Sequence, residues 1–117
     1  TRTIPLIDFF KGYRQTDLNS GEIIVSVTLS KNISQGAVKR LSQSYKIGKR
    51  GTDDISIVAA AFVIDLDANH NIVHARLGYG GVAATPVRAI AVETALIGQP
   101  WTIETIQQVK PLLRDAF

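Results

Sequence analysis

Residues 55–79 read ISIVAAAFVIDLDANHNIVHARLGY, and the fold turns on whether their apolar first half is helix or strand. Ile55 to Leu66 is nearly all apolar, so periodicity alone does not separate a doubly buried strand from a buried helix. The residues downstream decide between them. Asp67 to Asn71, DANHN, is turn chemistry, and beyond it Val73, Ala75, Leu77 and Tyr79 alternate with His74, Arg76 and Gly78. That period of two is a half-buried strand, and a short connection makes its partner a strand as well. Three alanines, Ala59 to Ala61, leave room for another element to approach closely.

Upstream of this hairpin, Val38 to Lys46 reads as a strand of mixed polarity. Glu22 to Leu29, EIIVSVTL, is rich in β-branched residues and is predicted as a further strand after the turn DLNSGE. Near the start, Asp8 is expected to begin a helical turn that Gly12 ends. The adjacent Phe9 and Phe10 cannot share one helix face, so one is expected to meet a neighbouring domain. Downstream, Thr85 as N-cap, Pro86 at the first helical position and Gly98 past the end predict a helix over Val87 to Ile97. Thr102 caps a second helix, with Trp101 and Ile106 at the spacing of a hydrophobic staple. Pro111 is expected to kink or interrupt that helix, because it lacks an amide hydrogen and crowds the carbonyl four residues back. The fold class is therefore α+β: a three- to four-stranded antiparallel sheet with helices packed on one face.

A chain of 117 residues with 45% hydrophobic and 20% charged residues has one core's worth of material, so residues 1–117 are read as a single domain. There is no cysteine, which excludes disulfides, thiol nucleophiles and cysteine-held metals and fits a cytoplasmic protein. The net charge of +3 is spread along the chain, so nucleic acid is not an expected partner. No apolar run approaches the roughly 18 residues of a membrane span, and the first residues lack the regions of a signal peptide. The chain opens at Thr1 without methionine, as a piece excised from a longer one would; processing would leave the same start.

Several motifs invite chemistry. His70 and His74 are four apart, but a turn and a strand give them no common helical face, so they are read as solvated turn residues rather than metal ligands. No serine occupies a strand-to-helix elbow, which removes the hydrolase reading. Gly78 to Gly81, GYGG, has neither dinucleotide-binding nor Walker spacing, and is read as a tight turn or a close backbone approach. Ser44 to Ile55, SYKIGKRGTDDI, sets five charged side chains directly before the most apolar run. Lys49, Arg50, Asp53 and Asp54 suit a solvated, mutually neutralising loop whose exposed pairs contribute about 0–1 kcal/mol each. Lys46 fits that reading least, because it follows Tyr45 inside a strand. A lysine held at a strand end supplies fixed positive charge to something anionic, such as a reduced flavin or a phosphate.

Four segments carry a resemblance: FFKGYR (Phe9 to Arg14), GEIIVSVTLS (Gly21 to Ser30), SYKIGKRGTDDISIV (Ser44 to Val58) and ARLGYGGVAATPVRA (Ala75 to Ala89). In order and spacing they resemble the C-terminal domain of the flavin subunit of molybdenum hydroxylases, most closely the xanthine dehydrogenase type, alongside carbon monoxide dehydrogenase medium subunits. The resemblance implies an oxidoreductase in which electrons pass from a purine at a molybdenum centre through two iron–sulfur clusters to FAD, and on to NAD or another acceptor. It implies that this domain covers part of the flavin ring beside an upstream FAD-binding domain, with iron–sulfur and molybdenum-cofactor partners elsewhere. By the same resemblance Lys46 matches a lysine that contacts the flavin, and Ile24 an aliphatic residue packed against it. The segment Arg50 to Ile55, with Asp53 and Asp54, matches a loop near the flavin that influences acceptor access; Gly51 and Thr52 depart from the family's more charged pattern. The isolated chain is then expected to hold FAD poorly and to be inactive. The alternative is a freestanding interaction domain that kept the fold without the chemistry. The flavoenzyme reading, and not the alternative, predicts an exposed apolar surface around Phe9, Phe10 and Tyr79.

Overall fold

The computed structural model describes residues 1–50 and 54–117. Near the start, Leu6–Phe9 forms one helical turn (α1), and Phe10–Gly12 (β1) folds back antiparallel onto Gln15–Thr16 (β2). Arg2 staples this unit together by donating to the carboxylates of Asp17 and Glu22, while Lys11 lies 3.2 Å from Asp17. The Arg2 hydrogen bond, helped by the Asn19 amide, holds the Glu22 carboxyl at about 2, well below its usual range.

The main sheet contains Lys39–Ile47 (β3), Val58–Leu66 (β4), Ile72–Gly80 (β5) and Val87–Arg88 (β6), antiparallel throughout and in that spatial order. Both halves of residues 55–79 are thus strand. The turn between them is built by Asp67, whose Oδ1 accepts the amides of Asn69 and Asn71, each at 2.8 Å.

Cross-strand pairing sorts side chains into two faces. Leu41, Ile64 and Ala75 form one row; Phe62 with Leu77, and Tyr45 with Ala60 and Tyr79, continue the same face. Ile90–Leu96 (α2) and Ile103–Arg114 (α3) pack there, closing a core of Ile64, Leu66, Ile72, Ala75, Leu77, Ala89, Val92, Leu96 and Val109. Each large aliphatic side chain buried in it stabilises the fold by roughly 1.5–3 kcal/mol. An aromatic series crosses this face: Tyr45 to Phe62 at 5.7 Å, Phe62 to Tyr79 at 5.5 Å and Tyr79 to Phe117 at 4.8 Å between ring centroids. The opposite face carries Ser44, Lys46, Ala59, Ala61, Gly78 and Gly80, on the side of the sheet away from the core that α2 and α3 close.

Four expectations are corrected. Glu22 to Leu29 pairs with no strand among the described residues, and Ile23, Val25, Val27 and Leu29 are 67–80% exposed. Local propensity does not make a strand without a neighbour to complete the ladder. The helix expected from Val87 begins instead at Ile90, with Ala89 as an N-cap that makes no side-chain hydrogen bond. Val87 and Arg88 pair with Tyr79 and Gly78, and the Ala89 amide donates to the Leu77 carbonyl, so covering the β5 edge outweighs the Thr85–Pro86 helix signal. Pro111 does not interrupt α3, which runs through it to Arg114. The apolar exposure is spread wider than expected: Phe9 and Tyr79 are half-buried, Phe10 is 38% exposed, and a run of exposed aliphatics lies along Ile23 to Leu29. The Thr102 cap forms as the sequence indicates, its Oγ1 accepting the Thr105 amide at 3.3 Å.

Candidate functional site

Two strand rows on the uncovered face have almost no side chain. Ser44, Ala61 and Gly78 lie opposite one another, and Lys46, Ala59 and Gly80 form the next row. On β4 and β5 this leaves a floor of methyl groups and bare backbone about 5 Å by 7 Å, from the spacing between strands and between alternate residues. Leu6, Ile7, Phe10, Thr85 and Pro86 join the floor in lining a groove of about 980 Å³. Lys46 reaches it from the outer strand β3, and Arg88 from β6. Such a floor suits a flat ring lying on it, because a larger side chain at any of four positions would lift the ring away.

Gly81 fixes the far end. Its φ is +85°, and a β-carbon there would overlap the Ile57 carbonyl oxygen. Only glycine lets the end of β5 pass so close to the entry of β4. The GYGG motif is therefore a close approach, made against this chain's own backbone.

Two buried carboxylates hold arginines in place, and one of them, Glu93, does so at the groove. Glu93 of α2 accepts the Leu77 amide at 2.8 Å and Arg88 Nε at 3.0 Å, its other oxygen accepts from Arg88 Nη2, and Arg76 Nη1 lies 3.7 Å away. Burial pushes the Glu93 carboxyl up, but Arg88, the Leu77 amide and the charge of Arg76 together hold it below its usual range. Asp65, fully buried, accepts Arg40 Nε at 2.6 Å, Arg40 Nη2 at 2.7 Å and the Ser34 amide at 2.8 Å. Arg40 above all, and then the Ser34 amide, hold its carboxyl well below the usual range against the effect of burial.

Of the residues singled out in the sequence, Lys46 is exposed on β3 and lines the groove. Ile24 is 58% exposed in the unpaired segment and is not part of the groove wall. Arg50 and Asp54 face each other: Arg50 Nε lies 3.5 Å from Asp54 Oδ2, and the Arg50 amide donates to the same oxygen at 3.2 Å. That pair sits in the connection from β3 to β4, beyond the strand end that carries Lys46. Asp53 lies outside the described residues. Arg88 and Glu93 were not singled out by the sequence. Their spacing of five suggested no shared surface, and only the short β6 brings them together.

The sheet is backed by α2 and α3 on one side only. The family described as CO dehydrogenase flavoprotein C-terminal domain matches residues 43–117, and the chain belongs to it. Xanthine dehydrogenase of Oryza sativa subsp. japonica is 36% identical over 117 residues, an alignment covering 97% of this chain and 8% of that protein. The nicotinate dehydrogenase FAD-subunit of Eubacterium barkeri is 29% identical over 118 residues, 98% of this chain and 38% of that one. A solved carbon monoxide dehydrogenase from Hydrogenophaga pseudoflava, in a form lacking the molybdenum-pyranopterin moiety of its cofactor, matches with a TM-score of 0.72 and 29% identity over 95% of this chain and 37% of its own. The chain thus spans well under half the length of each of these proteins.

Proposed function

We propose that this domain covers one side of an FAD ring held mainly by a preceding FAD-binding domain, within an oxidoreductase of the xanthine dehydrogenase type. The observation that carries the reading is the pairing of Lys46 with a floor of Ala59, Ala61, Gly78 and Gly80 in one open groove. The residues fit the cofactor: a flat surface without side chains suits a flat ring, and a lysine at its edge suits a ring that gains negative charge on reduction. When bound, the flavin supplies electron and hydride transfer. This chain's part is to orient the ring, keep water from one face and fix a positive charge beside it.

Ile24 enters this reading through the unpaired segment. Along Glu22 to Leu29, Ile23, Val25, Val27 and Leu29 share one side of an extended chain, whereas Ile24 shares the other with Ser26 and Thr28. We assign Ile24 to contact with the flavin, and Arg50, Asp53 and Asp54 to the acceptor side. The wider reading places iron–sulfur and molybdenum-cofactor domains or subunits as partners, NAD or another oxidant as acceptor, and the whole in the cytoplasm, in purine oxidation. No helix among the described residues is long and apolar enough to cross a membrane.

The test is the visible absorption spectrum of the polypeptide extended upstream through its FAD-binding region, compared with its Lys46→Ala variant. Bound flavin in the parent, with lower occupancy or a shifted midpoint potential in the variant, is the expected result. A variant identical to its parent in both would remove Lys46 from the site. A folded, colourless parent would favour a freestanding interaction domain.

A further inference from the structure

Lys46 is one of two cations in the groove. Arg88 enters from the opposite edge of the sheet, three strand spacings or about 14 Å across, and its guanidinium is held by a carboxylate that is 5% exposed. Glu93 takes both Nε and Nη2 of Arg88, a fork that fixes the plane of the guanidinium as a lysine's single ammonium could not. The same carboxylate accepts the Leu77 amide, so its position is tied to the β5 backbone. Arg76 Nη1, 3.7 Å from Glu93, brings a second guanidinium to the cluster. Two cations against one anion leave a net positive charge at the β6 side, and the side chain of Arg88 is 34% exposed towards the groove.

We propose that Arg88 is a second electrostatic residue of the groove and that Glu93 is its positioning residue, the pair favouring the negative charge that a flavin ring gains on reduction. The inference rests on the flavin reading of the groove. Reduction adds two electrons from the iron–sulfur clusters and one proton from solvent to the ring, so one negative charge remains to be stabilised. A guanidinium fixed before reduction needs no rearrangement to do this. Glu93 tempers the effect by neutralising one of the two arginines while holding Arg88 in place.

The test uses the whole flavin-containing protein and three variants, Arg88→Gln, Arg88→Lys and Glu93→Gln, with flavin occupancy read by absorbance and midpoint potential by reductive titration. Arg88→Gln is expected to keep its flavin and to shift the potential lower. Glu93→Gln, which leaves two guanidiniums without their counter-charge, is expected to shift it higher. Opposite signs mark a charge effect, since loss of packing would move both variants in one direction. A wild-type potential in Arg88→Gln, or equal shifts in both variants, overturns the proposal. Should Glu93→Gln fail to fold, Arg88→Lys decides: retained charge predicts a smaller shift than Arg88→Gln, and an equal shift overturns it. Lys46→Ala separates the two levels of the reading. If it moves the potential and Arg88→Gln does not, the inference about Arg88 alone fails; if neither moves it, the flavin is not in this groove.

Discussion

Asp65 is the one residue of the hairpin whose chemistry runs against its neighbours, a carboxylate with no exposure between Ile64 and Leu66. Three hydrogen bonds from Arg40 and Ser34 make it stable there, and they also tie residues before β3 to the sheet. Removing one member of a buried pair leaves the other without compensation and costs about 3–5 kcal/mol when both are enclosed. Arg40 keeps access to water, with 26% of its side chain exposed, so Asp65→Ala is expected to cost nearer 3 kcal/mol, read as a lower denaturant midpoint with unchanged slope. Because the folded carboxyl titrates below its unfolded value, the stabilisation is complete above about pH 5. It declines as pH falls through the unfolded value near 4 towards the lower folded one. The gap in stability between wild type and Asp65→Ala should therefore shrink on acidification; a gap independent of pH would remove the ionised pair as its cause. Nothing in the sequence announced this contact. Asp65 lies in an apolar run, and its partner Arg40 stands on another strand, 25 residues earlier.

At the scale of elements, Gly81 and Gly98 form a controlled comparison. Both have φ near +80°, but a β-carbon at Gly98 would meet nothing within 4 Å, whereas at Gly81 it would run into the Ile57 backbone. Gly98→Ala is expected to cost about 1 kcal/mol from conformation alone. Gly81→Ala adds the clash and is expected to cost at least about 2 kcal/mol, with displacement of the groove end. Equal costs by denaturation would show that the strand ends separate easily. The elements legible in the sequence were those whose signal is local and whose partner is adjacent. The period of two in Val73 to Tyr79 and the DANHN turn define β4 and β5, and Thr102 defines the start of α3. Glu22 to Leu29 and Thr85 to Arg88 were misjudged for a common reason. A strand is a relation between segments, and here no pairing segment stands among the described residues in one case and the partner is the distant edge of β5 in the other. Lys46 was legible in the same local way, as a lysine inside a strand, whereas the small-residue floor emerges only once the strands are set in register.

For the whole molecule, shape is informative. The radius of gyration is 16.5 Å, against about 13 Å for a compact domain of this length. Residues ahead of β3 join the sheet through ties such as Ser34 to Asp65 and the Val38 amide to the Leu66 carbonyl. An exposed segment with unpaired backbone is where proteases cut first. Limited proteolysis of the isolated chain should therefore cleave within residues 22–34 well before the sheet, and the polypeptide extended upstream should resist cleavage there. Equal cleavage rates in the two would rule out the upstream region as the partner of this segment.

The aromatic series from Tyr45 to Phe117 bears on how the protein can be handled. The Phe117 ring meets the Tyr79 ring edge-on, and Tyr79 is among the residues lining the groove. A purification tag or dye joined directly after Phe117 would start from the helix-covered side, against a ring that braces the floor from beneath. It would press on the groove without entering it. A spacer at that junction is therefore a requirement for any comparison of groove variants, and an attached fluorophore without one would itself act as a perturbation.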